Sequence, residues 1–587
     1  MPNQAADVRR PWFRFYDDGV APSLEIPPLT IPDFLRHSAQ AHPAHTATVF
    51  LGAHLSYHQL QADVHRFAHG LAALGVKGGD RVAILLPNCP QTIIAYYATL
   101  TLGGVVVMTN PLYTEPELER HWKETGATVA VVLDALWPRV QKVRSLVPLH
   151  KIVVTSIRDY LPFPKNLLYP VQARRKGSWV RVHYDGDTIP FRLVMHHQPD
   201  TDPGVSVSPD DLACLQYTGG TTGIPKGAML THRNLVASVF QIRHFLMPGS
   251  REAEDRVLAI LPLFHAYGMS GVMNLGVHLA ATLVLLPLLD VKMLMHALRT
   301  ERPTFFLGVP ALYTAINNYP GVESMDLTSV KACFSGGAPL PVEVITRFER
   351  LTGARIAEAY GMTEASSVTH VNPRFGLRKF GSVGVPIVGT DARIVDAETG
   401  TRVLAPGEVG ELVISGPQIM QGYWKQAQET ASVLREGPDG RWLFTGDLAR
   451  MDEDGYFYIV DRKKEMILSA GFNVYPREVE EVLYEHPAVL EAAVVGIPNA
   501  VRGEKIKAYV VLKPGAEATA AQLIAFCRER LAPYKVPRAV EFRQSLPRLI
   551  TGKVSRRMLR EEELAGRSAG TDALSADQVD EHGARHS

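Results

Sequence analysis

The run Tyr217-Thr218-Gly219-Gly220-Thr221-Thr222-Gly223-Ile224-Pro225-Lys226-Gly227-Ala228 is a backbone loop shaped to hold a polyphosphate. Its glycines leave main-chain N–H groups open, its threonines add hydroxyl donors, and Lys226 supplies a point charge. A Walker loop would place Ser or Thr directly after the lysine, whereas Gly227 stands there. The plainer alternative is a flexible surface loop of small polar residues. Such a loop does not ordinarily carry this density of hydroxyls and glycines with a lysine and then turn into an apolar run, Ala228, Met229 and Leu230, with a helix cap at Thr231.

Outward from that loop, short apolar runs alternate with helical patterns: 82–86, 105–108, 128–133, 258–261, 282–286 and 305–307 read as strands. The alternation predicts α/β architecture, with parallel sheets and crossover helices on both faces. The expected plan is a large N-terminal domain over residues 1–460, made of stacked α/β sheets with a β-rich part at about 385–460. Residues 408–415 alternate apolar and polar, as a half-buried strand would. A small mobile α+β domain is expected over 465–567, with a hinge at 461–464 and a disordered tail at 568–587. Within the small domain the pattern predicts a hairpin at 465–474, helices at 476–484 and 520–531, and strands at 492–496 and 507–512.

Bulk properties narrow the classes. A chain of 587 residues with 46% hydrophobic content holds more than one domain, and Lys+Arg 61 against Asp+Glu 60 excludes a strong charge signal for nucleic acid. The four cysteines, Cys89, Cys214, Cys333 and Cys527, have no metal-ligand or disulfide spacing and read as apolar residues of a reducing compartment. No signal-peptide core is present near Met1, so a cytoplasmic protein is expected. Residues 91–109 and 268–289 approach membrane-span length, but each divides into a helical half and a strand-like half and reads as buried helix-then-strand.

Further motifs follow in order: Leu261-Pro262-Leu263-Phe264-His265-Ala266-Tyr267-Gly268, Ser335-Gly336-Gly337-Ala338-Pro339, Glu358-Ala359-Tyr360-Gly361-Met362-Thr363-Glu364, Thr445-Gly446-Asp447, Asp461-Arg462 and Pro547-Arg548-Leu549-Ile550-Thr551-Gly552-Lys553. With the phosphate loop, this series resembles the adenylate-forming superfamily of acyl-CoA synthetases, luciferases and adenylation domains. Within it the chain is most similar to bacterial long-chain fatty-acid CoA ligases, over residues 29–560. Most relatives have Ser where Gly219 stands, and the double glycine resembles the long-chain branch. Many relatives carry a small polar residue where Leu549 stands.

The resemblance implies the roles. Thr218, Gly219, Gly220, Thr221, Thr222, Gly223 and Lys226 would hold the ATP phosphates. Gly336, Gly337, Ala338, Glu358, Ala359, Tyr360 and Gly361 would line the adenine, with Thr363 on the α-phosphate and Glu364 as ligand of Mg²⁺. Asp447, with Arg462 and Ile459, would take the ribose. His265, which from its residue type alone reads as a core histidine, would stand beside the acyl-adenylate. Lys553 would bridge the carboxylate and α-phosphate during adenylation. Lys464 would be the hinge, and Ser469, Ala470 and Gly471 would face the site when CoA attacks.

The implied activity is ATP-dependent activation of a fatty acid to an acyl-adenylate with release of pyrophosphate, then transfer to CoA with release of AMP. The substrates are thus small molecules, with no nucleic acid, while a homodimer and peripheral attachment at the inner membrane face stay open. The rival enzyme takes an aryl or medium-chain acid, or hands the acyl group to a carrier protein. A rival of another class is an inactive nucleotide- or lipid-binding regulator. Residues 158–183 mix Tyr160, Phe163, Leu167, Leu168, Tyr169 and Trp179 with Arg174-Arg175-Lys176. They read first as a solvated insertion packed on the main domain and second as a membrane-surface contact.

Overall fold

A computed structural model describes residues 10–175, 177, 179–218, 225–437, 439–469, 472–499, 503–548 and 554–565. The expected tail at 568–587 lies outside the described residues.

Two broad sheets form the body. The eight-stranded sheet runs, by strand, Gly422–Tyr423, Gly227–Thr231, Leu212–Tyr217, Val105–Met108, Arg81–Leu85, Val129–Leu133, Lys151–Thr155 and Thr188–Pro190. From Leu212–Tyr217 onward the pairings are parallel, and the strands Gly227–Thr231 and Gly422–Tyr423 close one edge antiparallel. The nine-stranded sheet has a parallel centre, with Ala332–Gly336 between Phe305–Gly308 and Ile356–Met362. Antiparallel strands finish both of its edges.

The apolar runs at these centres are buried on both faces, which is why they read as continuous rather than alternating. The helix Pro90–Thr101 is buried at every position and leads through Gly103 and Gly104 into Val105–Met108. The second near-span stretch also divides, into helical turns Met269–Asn274 and Leu275–His278 and the strand Thr282–Leu285. No helix among the described residues is long and apolar enough to cross a membrane.

Two sequence expectations shift. The strand expected at 258–261 is Arg256–Ala259, because Pro262 follows and the Asn88 amide takes the carbonyls of Ala259 and Leu261, each at 2.9 Å. The strand Gly410–Ser415 does not alternate in burial: Gly410 through Ile414 are all buried. Leu412 and Ile414 join the main core, while Val413 packs with Val395, Trp442 and Phe444 on the other face.

That strand belongs to a third sheet, Asp391–Val395, Gly410–Ser415, Gly440–Met451 and Leu434–Gly437, to which Phe457–Arg462 adds. Past a register shift between Leu448 and Ala449, the last strand runs on to Arg462, opposite Asp447. Beyond it stands a small α+β unit. The strands Ile467–Ser469, Phe472–Val474, Val489–Asn499 and Gly503–Leu512 pair antiparallel, Ala539–Phe542 adds in parallel, and helices Pro476–Glu485 and Ala520–Arg530 pack together beside them. This unit has apolar clusters of its own, around Val494 and around Tyr509, that share no side chain with the main core.

Candidate active site

The phosphate loop joins two paired strands. Tyr217 stands opposite Gly227, where a Cβ would come within 2.8 Å of the tyrosine ring. The loop's neck is tied by Thr218 N–H to the Lys226 carbonyl at 2.9 Å and by Lys226 N–H to Thr218 Oγ1 at 3.2 Å. Gly219, Gly220, Thr221, Thr222 and Gly223 lie outside the described residues.

The Lys226 ammonium pairs with the Glu429 carboxylate and lies 5.0 Å from the centroid of the Tyr423 ring. Its hydrogen bond holds Glu429 below the usual carboxylate range, and the charge of Lys464 adds to that effect. Tyr423 arrives on the edge strand opposite Ala228, and its hydroxyl donates to Glu364 Oε1 at 2.8 Å. Lys226 and Glu364 are therefore joined through one tyrosine.

Glu364 follows Thr363 in the turn Thr363–Ala365, and both are buried. Burial pushes the Glu364 carboxyl up, opposed by the Tyr423 hydrogen bond and, at longer range, by Arg462. Ser366 and Ser367, immediately beyond, have φ of 56° and 136°, conformations that L-residues seldom adopt. Gln418 holds that turn, its carbonyl accepting from Ser366 Oγ at 2.8 Å.

The other half of the site is built on two adjacent strands. Asp447 and Arg462 face each other in register, with Arg462 Nε 2.9 Å from Asp447 Oδ1. Tyr360 OH donates to Asp447 Oδ2 at 2.5 Å. Each carboxylate oxygen thus has one protein partner and keeps a lone pair for another donor, such as a sugar hydroxyl. Asp447 keeps the Arg462 guanidinium firmly charged. The turn before it is fixed by Gly446 at φ +71°, whose N–H donates to Glu411 Oε1 at 3.1 Å, while Lys463 Nζ reaches Glu411 Oε2 at 2.7 Å.

Gly336 pairs with Ala359, and Ser335 with Glu358, so the Gly336-Gly337-Ala338 turn and the Tyr360 strand end side by side. Gly361 is obligatory, since a Cβ there would sit 1.7 Å from the Ser367 carbonyl oxygen. Glu358 is buried with Oε2 lacking a close hydrogen-bond partner, while Oε1 accepts a long bond, 3.4 Å, from Leu340 N–H and the Gly381 N–H also acts on the carboxylate. Burial raises its pKa to about 6, against the Leu340 N–H and the charges of Arg378 and Arg477. A buried acceptor without a donor fits a ligand amino group.

His265 is half-buried, caps the turn Ala266–Gly268 and accepts from Tyr267 N–H through Nδ1 at 3.3 Å. Asn88, which carries no motif signal, positions this segment: besides the two carbonyls it holds, its Oδ1 accepts from Leu263 N–H at 2.9 Å.

Of the small-domain residues, Lys553, Ala470 and Gly471 lie outside the described residues. Ser469 is buried at a strand end opposite Phe472, and Ile459 presents its carbonyl to Arg477 Nη1 at 2.9 Å. Arg556 reads as an ordinary basic position in the sequence, yet the structure sets it at a charge centre. It reaches Asp461 at 2.9 Å, Glu465 at 2.5 Å and Glu480 at 2.6 Å.

The sequence profile described as AMP-binding enzyme matches residues 35–424, and the AMP-binding enzyme C-terminal domain matches 478–553. The chain belongs to the AMP-binding enzyme family. Among curated relatives, this AMP-binding enzyme is 46% identical over 566 residues to a long-chain-fatty-acid–CoA ligase of Bacillus subtilis, covering 94% of this chain and 98% of that one. It is 37% identical over 538 residues to one of Salmonella typhimurium, covering 91% and 94%. The ATP-bound crystal structure of MatB from Rhodopseudomonas palustris superposes with a TM-score of 0.80 at 29% identity, over 91% of this chain and 99% of that one.

A magnesium ion would fit the candidate site in one particular way. Among the described residues no three His, Cys, Asp or Glu side chains gather as a cage. Glu364 is a single buried carboxylate beside the phosphate loop's lysine, the donor set for an ion that arrives on phosphate oxygens.

Proposed function

We propose that this AMP-binding enzyme is a long-chain fatty acid:CoA ligase of the AMP-forming type. A fatty carboxylate oxygen attacks the α-phosphorus of ATP, forming one P–O bond as the α–β bridge breaks and pyrophosphate leaves. CoA thiolate then attacks the acyl carbon, forming the C–S bond as the C–O bond to AMP breaks. The intermediate anhydride turns a poor electrophile into a good one, and no covalent enzyme adduct is required.

The observation that carries this reading is the continuity of two side-chain lines, Lys226–Tyr423–Glu364 and Tyr360–Asp447–Arg462, with Arg462 acting on both carboxylates. Their span suits one nucleotide: phosphates at Lys226, ribose hydroxyls at Asp447, the base between Gly336-Gly337-Ala338 and Tyr360 with its amino group on Glu358. Glu364 and the phosphates would hold Mg²⁺, which neutralises the charge that repels an incoming carboxylate. Phosphate binding requires Lys226 to exchange Glu429, an exposed partner of little energetic weight, for the nucleotide.

The same reading carries the domain plan: with the large domain at 1–460 and the hinge at 461–464, Lys464 would be the pivot, and the small domain would alternately present Lys553 for adenylation and Gly471 for thioester formation. The four cysteines, all buried and unpaired, support a cytoplasmic enzyme. Release of AMP and pyrophosphate measured across acids from short to very long, with CoA or a phosphopantetheinylated carrier protein as acceptor, tests the reading. CoA-dependent AMP release that peaks with long-chain acids is expected. A preference for aryl acids, or transfer to the carrier alone, would replace it.

A further inference from the structure

Polar side chains stitch the two broad sheets together at the segment that carries His265. Asn88, just beyond the strand Arg81–Leu85 of the eight-stranded sheet, reaches the end of the strand Arg256–Ala259 of the nine-stranded one. Its Nδ2 donates to the carbonyls of Ala259 and Leu261, and its Oδ1 accepts from Leu263 N–H, each at 2.9 Å. Gln216, on the strand Leu212–Tyr217, donates from Nε2 to the Phe264 carbonyl at 2.8 Å. Farther along the same segment, Asn274 donates to Tyr96 OH at 3.1 Å and accepts from Tyr97 OH at 3.2 Å. Both tyrosines lie on the helix Pro90–Thr101, which begins just after Asn88. All of these side chains are buried. Polar groups cost free energy to bury, and what they supply that apolar packing does not is direction. The ends of the Gln216 bond matter most: Gln216 stands just before Tyr217 and Thr218 of the phosphate-loop neck, and Phe264 immediately precedes His265. One buried hydrogen bond thus links the strand that delivers the phosphate loop to the segment that delivers His265.

We propose that Asn88 and Gln216 are positioning residues for adenylation, fixing the His265 segment against the phosphate-loop strand so that carboxylate and α-phosphate are held at bonding distance. Neither side chain touches a substrate in this role; each acts through the backbone on either side of Leu263 and through His265 beyond it. In-line attack tolerates little error, and a displacement of about 1 Å costs on the order of 10²-fold in rate. Asn88 spends both amide hydrogens and its oxygen on three consecutive odd-numbered positions, 259, 261 and 263, which holds that stretch of backbone extended up to the turn that His265 caps. Gln216 adds the one contact that comes from the phosphate side. The inference rests on the adenylating reading of the site, in which the acid enters beside His265 and ATP beside Lys226.

The test is a double-mutant cycle on acid-dependent pyrophosphate release by the full chain, with ATP, Mg²⁺ and whichever acid the wild type turns over fastest. That choice separates the two claims: a preference for aryl acids would replace the fatty-acid reading and leave the cycle intact. Gln216→Met keeps the size of the side chain and removes the donor to Phe264, and it should lower kcat by about tenfold with the KM for ATP within about two-fold of wild type. Asn88→Asp keeps the acceptor for Leu263 N–H and loses both donors, and it should lower kcat by about 10²-fold. In a His265→Ala background, itself impaired, Gln216→Met should cost less than about two-fold, because the group it positions is gone. A merely structural role would give the same factor in both backgrounds and a loss that tracks the unfolded fraction in thermal melts. Should Asn88→Asp not fold, the Gln216→Met cycle decides alone. Equal factors in the two backgrounds, an unchanged kcat in Gln216→Met, a KM for ATP that rises with the fall in kcat, or a fully active His265→Ala would overturn the proposal.

Discussion

The proposed nucleotide wall of the large domain and the attachment of the small domain are built from opposite materials. In the wall, Asp447 and Arg462 face each other on paired strands of the third sheet, Tyr360 reaches Asp447 from the nine-stranded sheet, and obligatory Gly361 closes against the neighbouring backbone. The two domains meet through polar groups: Asp461 accepts from Arg556 and from Arg477 N–H, and Ile459 accepts from Arg477. Among the described residues, no apolar side chain of the small unit's clusters belongs to the main core. Apolar packing fixes one geometry, whereas hydrogen-bonded charges can exchange partners at modest cost, so the first suits a template and the second a moving part.

Substitutions in the wall should have the largest effects. Glu364→Gln removes the proposed metal ligand and should lower acid-dependent pyrophosphate release by about 10³-fold, measured at saturating ATP and Mg²⁺. Because burial raises the Glu364 pKa, wild-type activity should fall as acid protonates it, and higher Mg²⁺ should move that limb to lower pH. Next, Lys553→Ala should reduce ATP–pyrophosphate exchange by about 10²-fold while transfer from preformed acyl-adenylate to CoA persists. Equal loss of both half-reactions would erase the distinction between template and moving part.

A smaller effect concerns stability. Glu358 has its folded pKa raised from 4.5 to about 6, so its penalty is absent below pH 4.5 and complete above about 6. Glu358→Gln should therefore gain stability over the wild type as pH rises from 4 to 7, by about 2 kcal/mol in denaturant titration of the ligand-free protein. A difference that does not vary with pH would show that this carboxylate is not strained. The smallest effect is expected at the domain junction. Asp461→Asn weakens the link to Arg556 and should shift the two half-reactions in opposite directions by about three- to tenfold, as about 1 kcal/mol between domain arrangements requires. A uniform fall in both would make the junction a rigid contact.

The sequence revealed what is local and concealed what is assembled. The parallel strands and the glycine-threonine loop are continuous in the chain, and their residue types carry their own signal. Tyr423, Asn88 and Glu429 meet their partners Glu364, Leu263 and Lys226 across 59, 175 and 203 positions, and no local pattern marks such meetings. Arg556 sits in a basic run whose exposed appearance hides the three carboxylates around it. The helix Lys165–Arg175 shows a third case, in which the mixture of apolar and basic residues is legible but the helix and the exposure of Leu167, Leu168 and Val171 are not. Periodicity defines a face, and only the packed body decides whether that face turns inward.

The most direct test of the shared nucleotide site is a crystal structure with a non-hydrolysable fatty acyl-adenylate analogue. The account predicts adenine against Gly336–Ala338 and Tyr360, both ribose hydroxyls on Asp447, and the phosphate mimic facing Thr363 and Lys226. An analogue bound elsewhere, with Asp447 and Glu364 free of it, would contradict the account.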